Sequence, residues 1–222
     1  MTSLPTYTNL PRLLTVCNSF VNQPLRLTAN FMGCDIPVSD PNVVGNVFET
    51  VAWHGGLKNI GDVEEGPLQD PPDFYAQNRE FQLEMKVFRG SPGFDLSNFN
   101  SYVKQLCEEG GVMKKLFRTN YLVFKYATEG DVSVIKTFHY LSVWNLVEYG
   151  GTHPLTVQVK AGTWYNLRPG AASGWTDATK TPARLIDGIC ACIEACPQIS
   201  EKEVKISNIR QQFEAISSKY AV

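Results

Sequence analysis

The segment 73–88 constrains the fold of this chain more than any other, because it predicts a β-hairpin. Residues 74–76 are of types that favour strands, and the polar residues 77–80 that follow favour a turn. Residues 81–88 then alternate in character, which is typical of a strand. One face of this strand carries Phe81, Leu83, Met85 and Val87, and the other carries Gln82, Glu84, Lys86 and Phe88.

Three charged side chains are expected to meet on this hairpin. Glu84 and Lys86 are two positions apart on one strand, so they share a face at a spacing of about 6.6 Å. Strand pairing would bring Asp73, near the start of the first strand, beside Glu84. Two carboxylates repel each other unless a cation lies between them, and Mg²⁺ prefers carboxylate oxygens. We therefore predict a Mg²⁺ site at Asp73 and Glu84, where Lys86 orients the attacking water and helps to deprotonate it.

Pro72-Asp73, ten intervening residues and Glu84-Met85-Lys86 resemble the signature of the PD-(D/E)XK nucleases. The resemblance implies metal-assisted hydrolysis of DNA phosphodiesters. It also implies an α/β (α+β) fold like that of restriction endonucleases, with an αβββαβ core in which helices flank a mixed central sheet. A solvated hairpin with a simple Glu–Lys pair is the alternative interpretation, and Asp70 is the fallback for Asp73.

A helix is predicted upstream of the hairpin. Asp40 suits a helix cap, apolar residues recur at helical spacing up to Trp53, and Gly55-Gly56 ends the pattern. By the resemblance, Glu49 on this helix would lie near the active site, where it and Gln82 support the metal carboxylates. A solvent-facing helical glutamate is the alternative for Glu49.

The order of predicted helices and strands in the rest of the chain agrees with a single nuclease domain over residues 1–222. Its core would lie at about 40–150, and residues 151–222 would form a DNA-contact hairpin and C-terminal helices. Residues 57–71 are predicted to form a loop. The other predicted elements are a helix at 99–108, strands at 121–126 and 132–138, a helix at 141–147, a strand at 156–160, and helices starting near 183 and 201.

Several polar side chains outside the charged trio are candidate DNA contacts. Asn, Gln and Arg make bidentate contacts to base edges, and the turn that leaves the 81–88 strand could reach the DNA backbone. The candidates are Gln82, Arg89, Ser91, Gln158, Lys160, Tyr165, Asn166 and Arg168. The alternative for the later ones is a surface hairpin with Arg168 in a local salt bridge.

Charge and composition limit the other possibilities. The net charge of −2 argues against a general polyanion binder, whereas residues 85–125 carry seven Lys or Arg against three Asp or Glu, a net of +4. Cys190, Cys192 and Cys196 fit buried helix positions better than a zinc site. The chain has no phosphate-binding glycine loop, which argues against a nucleotide cofactor.

No apolar run is long enough to cross a membrane, and the N-terminal residues lack the pattern of a secretory signal, so we expect no membrane association and a cytoplasmic location. Together these observations predict a Mg²⁺-dependent type II restriction endonuclease. It would cut double-stranded DNA within a restriction-modification system, as a homodimer that matches a palindromic site. The alternatives are a structure-specific repair or recombination nuclease, and a non-catalytic DNA-binding or scaffold protein.

Overall fold

The computed structural model describes residues 3–38, 40–67 and 71–220; Asp70 lies outside these ranges. The α-helices within the described ranges are α1 (Leu10–Ser19), α2 (Pro41–Gly55), α3 (Phe99–Cys107), α4 (Val143–Leu146), α5 (Pro182–Ala195) and α6 (Lys202–Tyr220). None of the helices in these ranges combines the length and the apolar character needed to cross a bilayer.

The strands are mostly short, and two of them are long. They are β1 (Pro24–Leu25), β2 (Thr28–Phe31), β3 (Cys34–Pro37), β4 (Val63–Glu65), β5 (Phe74–Ala76), β6 (Phe81–Arg89), β7 (Ser97–Asn98), β8 (Thr119–Glu129), β9 (Val132–Ser142), β10 (Val157–Lys160) and β11 (Thr163–Leu167). In chain order α2, β4, β5, β6, α3 and β8 follow the predicted αβββαβ sequence of elements.

The chain forms two compact units, and each consists of separate stretches of sequence. The first, which we call the hairpin unit, comprises Thr6–Ser91 and Asn120–Leu141. The second, which we call the C-terminal unit, comprises Pro92–Thr119 and residues 142–220, together with the described residues before Thr6.

In the described part of the hairpin unit, six strands form one sheet in the order β1-β9-β8-β6-β5-β4. β6 and β8 lie at its centre, and side chains on both faces of each are buried over most of their length. A continuous apolar run predicts such a strand, which is covered on both sides, so residues 121–126 form the expected central strand.

Helix α2 packs its apolar stripe against this sheet. Val44, Phe48 and Ala52 follow one another at helical spacing and are buried in the same cluster as Leu83 and Phe124. The helix begins as predicted, because the carboxylate of Asp40 accepts a hydrogen bond from the backbone N–H of Val43 at 3.2 Å. This packing fixes α2 beside β6.

The β5–β6 hairpin has the predicted strands and the predicted turn. Its antiparallel register places Phe74 opposite Leu83 and Ala76 opposite Phe81. The turn contains no glycine, yet Gln77, Asn78 and Arg79 have positive φ angles of 51°, 53° and 66°. Left-handed backbone costs roughly 1 kcal/mol at a residue other than Gly or Asn, so contacts from outside the turn must hold this conformation.

The C-terminal unit contains a small sheet in the order β10-β11-β7. Gln212 and Asn208 on α6 donate side-chain hydrogen bonds to the backbone carbonyls of Leu106 and Cys107, and so satisfy the C-terminal end of α3. Thr181 caps α5 by accepting the backbone N–H of Arg184 at 3.2 Å. The predicted final helix therefore closes the core of this unit.

Two of the predicted elements differ from the structure. The predicted loop 57–71 contains a short 3-10 helix, Leu57–Asn59, and strand β4, which pairs with β5. The strand predicted at 132–138 continues to Ser142, which shortens the following helix to Val143–Leu146. Both strands form by pairing with neighbouring strands, which short-range sequence patterns do not specify.

Candidate active site

The alternation of β6 brings two of the predicted charged residues together. The ammonium Nζ of Lys86 lies 3.3 Å from Oε2 of Glu84 and 3.9 Å from Oδ2 of Asp73. The three side chains are largely buried, with 20%, 10% and 19% of their surfaces exposed, respectively. The predicted convergence of Asp73, Glu84 and Lys86 is therefore present in the structure.

Asp73 owes its position to the hairpin register. The pair Phe74–Leu83 is the last one in the ladder, and Asp73 and Glu84 are the next residues beyond it on the two segments. The Asp73 carboxylate also accepts a hydrogen bond from the backbone N–H of Met85 at 2.5 Å, and this contact holds it against β6. A charge-assisted bond of this kind fixes the carboxylate more firmly than a solvated one.

Glu49 on α2 belongs to the same cluster of charges. Burial and, to a lesser extent, the neighbouring carboxylates of Asp73 and Glu84 raise the pKa of its carboxyl to about 7, although Lys86 acts in the opposite direction. These influences place Glu49 close to the trio, so the alternative of an isolated solvent-facing glutamate does not describe it.

The Lys86 ammonium is stabilised in its charged form. Burial by itself lowers the pKa of a lysine, but here the attraction of Glu84, Asp73 and Glu49 outweighs it and the net pKa is raised. Lys86 therefore carries a full positive charge between carboxylates, with N–H groups to donate and no lone pair to accept a proton.

The donor set suits a small divalent cation. Mg²⁺ usually takes one or two protein carboxylates and keeps its waters, and Asp73 and Glu84 supply two. Among the residues that the structure describes, no cluster of three or more His, Cys, Asp or Glu side chains forms a fuller metal cage.

The predicted DNA contacts on the hairpin unit have different environments. Gln82 is buried on β6, two residues before Glu84. Arg89 is exposed at the end of the same strand and donates a hydrogen bond to Thr128 Oγ1 at 3.2 Å. Ser91 is exposed just beyond it.

The other predicted contacts all lie on the C-terminal unit. Asn166 donates a hydrogen bond to Gln158 at 3.4 Å across the β10–β11 hairpin, and Lys160 lies 5.9 Å from the ring centre of Tyr165. Arg168 forms a 2.9 Å ion pair with Asp95, which is the local salt bridge of the alternative interpretation. Both ion-paired side chains keep solvent access, so Arg168 is still able to exchange partners.

Sequence reasoning missed the N-terminal contacts of the hairpin. Tyr7 donates a hydrogen bond to Asp62 at 2.9 Å, and Thr8 donates two to Gln77. No local pattern signals these contacts, because Thr8 and Gln77 lie 69 positions apart in the sequence.

Comparison with known proteins identifies the class of the chain. A family model described as NgoBV restriction endonuclease matches residues 13–221. The chain belongs to this restriction endonuclease family, and the resemblance inferred from the sequence is confirmed.

Two relatives illustrate the similarity. The type II restriction enzyme NlaIV of Neisseria lactamica is 30% identical over 150 residues, which are 63% of this chain and 59% of that protein. The solved structure of NlaIV restriction endonuclease matches with a TM-score of 0.75 at 21% identity, covering 96% of this chain and 90% of the other. The structural match confirms the predicted α+β fold with a mixed sheet and helices.

The raised pKa of Glu49 predicts a pH-dependent stability in protein freed of divalent ions. The folded state keeps the proton up to about pH 7, whereas the unfolded chain releases it near 4.5, so wild-type stability falls as pH rises between these values. Glu49→Gln removes this loss and should be more stable than wild type above pH 7, by on the order of 1 kcal/mol after allowing for solvent screening.

Urea unfolding with a chelator present, at a pH below and a pH above this window, would measure the difference. Below this pH range, wild type and Glu49→Gln should have the same free energy of unfolding. Glu109→Gln, at an exposed carboxyl of the C-terminal unit, is the matched control. Equal stability of Glu49→Gln and wild type at high pH would contradict the crowded environment of this carboxyl.

Proposed function

We propose that the chain is a type II site-specific endonuclease that hydrolyses phosphodiester bonds of double-stranded DNA, as part of a restriction-modification system. The observation that carries this proposal is the convergence of Asp73, Glu84 and Lys86 on one hairpin. Membership of the NgoBV restriction endonuclease family supports it independently.

The proposed chemistry assigns each side chain a task. Asp73 and Glu84 would hold a divalent cation, Mg²⁺ in our proposal, which supplies charge neutralisation at the phosphate when bound. Lys86 donates a hydrogen bond to the attacking water and orients it, and its charge offsets the negative phosphate. Because its pKa is raised, Lys86 is protonated in the folded protein and enters this role as a hydrogen-bond donor. Glu49 and Gln82 support these groups from α2 and β6.

DNA contacts are proposed for both units. Arg89 and Ser91 would meet the sugar-phosphate backbone, since both are exposed at the end of β6. Gln158, Lys160, Tyr165, Asn166 and Arg168 would contact bases or phosphates from the β10–β11 hairpin. The hydrogen bond between Asn166 and Gln158 supports a role in base reading, because it fixes the orientation of both amides.

Asp73 should separate DNA binding from cutting. Asp73→Ala would also leave the Met85 N–H without its acceptor and cost about 1 kcal/mol, so Asp73→Asn is the better variant because it keeps an oxygen there. With Mg²⁺ and phage DNA, wild type should give discrete bands, whereas Asp73→Asn should bind the same DNA, melt normally and give none.

Each other outcome of that assay is informative. A smear from wild type would favour a general nuclease, and intact DNA would favour the scaffold alternative. Cutting by Asp73→Asn at the wild-type rate would remove Asp73 from the site, and Asp70 would be tested next. Glu65→Gln, at an exposed carboxyl on β4, is the control for a simple loss of negative charge.

Arg168 should distinguish base reading from phosphate contact. If it reads a guanine, Arg168→Ala weakens binding to the cognate site by about 1–3 kcal/mol. If it meets a phosphate, the loss is independent of sequence and the salt dependence of binding becomes shallower by about one unit of slope. Gel shifts at several salt concentrations would measure both effects.

Asp95→Asn is the matched control, because it breaks the same ion pair and leaves the guanidinium in place. It should bind DNA at least as tightly as wild type. Equal losses in Arg168→Ala and Asp95→Asn would mean that the ion pair matters only for the structure of the C-terminal unit.

A homodimer is proposed as the cutting form. Two subunits related by a two-fold axis match the symmetry of a palindromic site and place one site on each strand. Sedimentation of the protein with a short palindromic duplex should therefore give two protein copies per duplex. One copy per duplex at saturation would contradict the dimer.

A further inference from the structure

The turn of the β5–β6 hairpin is held in an unfavourable backbone conformation next to the candidate site. Gln77, Asn78 and Arg79 have consecutive positive φ angles, and none of them is glycine. Such a conformation persists only where the surroundings determine it. The contacts of this turn are therefore the place to look for what fixes the hairpin.

Gln77 connects the turn to the N-terminal segment. Its side-chain oxygen accepts hydrogen bonds from the backbone N–H of Thr8 at 2.9 Å and from Thr8 Oγ1 at 2.6 Å. Its side-chain nitrogen donates to Glu80 at 3.1 Å, and its backbone N–H donates to the carbonyl of Asp62 at 3.0 Å. The amide of one residue thus joins both ends of the turn to a segment about 70 positions away in sequence.

Neighbouring contacts support the same junction. Tyr7 is buried, donates to the Asp62 carboxylate at 2.9 Å and places its ring 6.0 Å from that of Phe81, the first residue of β6. On the other side, Arg79 forms a 3.0 Å ion pair with Glu64 on β4. The turn is consequently held by the N-terminal segment and by the adjacent strand.

The turn is where the register of a hairpin is set. Three residue pairs lead from it along the ladder to Phe74 and Leu83, and Asp73 and Glu84 come next. A slip of one residue would turn Glu84 to the opposite face of β6 and away from Asp73. The contacts that hold the turn therefore affect whether Glu84 lies beside Asp73.

We propose that Gln77 is a positioning residue for the cleavage reaction: by bonding Thr8, it fixes the turn and hence the register that holds Asp73 beside Glu84. This role rests on the proposed endonuclease function. Thr8 is exposed and its hydrogen bonds are accessible to water, so the link contributes little to global stability. Its effect is local to the hairpin.

The test compares Gln77→Met, which keeps the length of the side chain and removes the amide, with wild type in cleavage of a DNA duplex with Mg²⁺. The kcat should fall about ten-fold, short of the roughly hundred-fold loss that a 1 Å misplacement of reacting groups can cause. The KM for DNA and the melting temperature should stay at their wild-type values, which a merely structural role would not predict.

Thr8 supplies the matched pair of controls. Thr8→Ser keeps the hydroxyl and should have the wild-type kcat. Thr8→Val loses the hydroxyl bond and keeps the backbone N–H bond to Gln77, so its kcat should lie between those of wild type and Gln77→Met. Gln77→Gly removes the backbone strain together with the amide, and it should also be slower. If Gln77→Gly is as fast as wild type, the amide is dispensable and the proposal is wrong.

A second measurement is independent of activity. The backbone N–H of Met85 donates to the Asp73 carboxylate, so its hydrogen-exchange rate reports whether Asp73 is in place. This amide should exchange about ten-fold faster in Gln77→Met than in wild type. It should exchange faster by a smaller factor in Thr8→Val, which keeps one of the two bonds to Gln77, and at the wild-type rate in Thr8→Ser.

The outcomes separate the two proposals. If wild type does not cut DNA but the Met85 exchange follows the expected pattern, the endonuclease function fails and the positioning of Asp73 stands. If wild type cuts and both Gln77→Met and Thr8→Val match it in kcat and in Met85 exchange, the positioning role is overturned. Should Gln77→Met fail to fold, the exposed Thr8→Val variant decides the question.

Discussion

Pairing of β5 with β6 is the constraint on which the candidate site depends. It ends at Phe74 and Leu83, so Asp73 and Glu84 follow directly beyond the last pair, and the alternation of β6 adds Lys86. The carboxyl of Glu49 interacts with these three charges, and its pKa is raised mainly by burial and also by the carboxylates of Asp73 and Glu84. Two carboxylates and one ammonium leave a net negative charge here even when Glu49 is protonated, and a bound cation would offset it.

The parts of the fold that could be predicted are those specified by short-range patterns. Alternation defined β6, and a cap with helical spacing defined α2, because residues at these positions contact neighbours of known periodicity. Strand β4 was not predictable in this way. Its three residues include Glu64 and Glu65, and it forms because β5 offers an edge to pair with. Edge pairing is decided by tertiary contacts, which local sequence does not encode.

The charged cluster was also predictable from a short-range pattern. The hydrogen bonds that support the cluster were not. The spacing of Glu84 and Lys86 on one strand is a property of the backbone, so it could be read directly from the sequence. Two hydrogen bonds, from Met85 to Asp73 and from Thr8 to Gln77, depend on how segments that are distant in sequence pack together. Side chains placed by the alternation of one strand therefore give a clearer sequence signal than contacts between distant segments.

The stretches of sequence that form the two units alternate along the chain, and this limits where the chain can be divided. The hairpin unit ends at Ser91 and resumes at Asn120, after a stretch that belongs to the C-terminal unit. Strand β8, the inner neighbour of β6, is supplied only by the resumed stretch. A fragment ending at Ser91 would retain every charged residue of the site and leave β6 with an open edge and exposed apolar faces, a template for aggregation. Unlike modular enzymes whose catalytic part is one continuous segment, this chain has no single cut that would separate the stretches of one unit from those of the other.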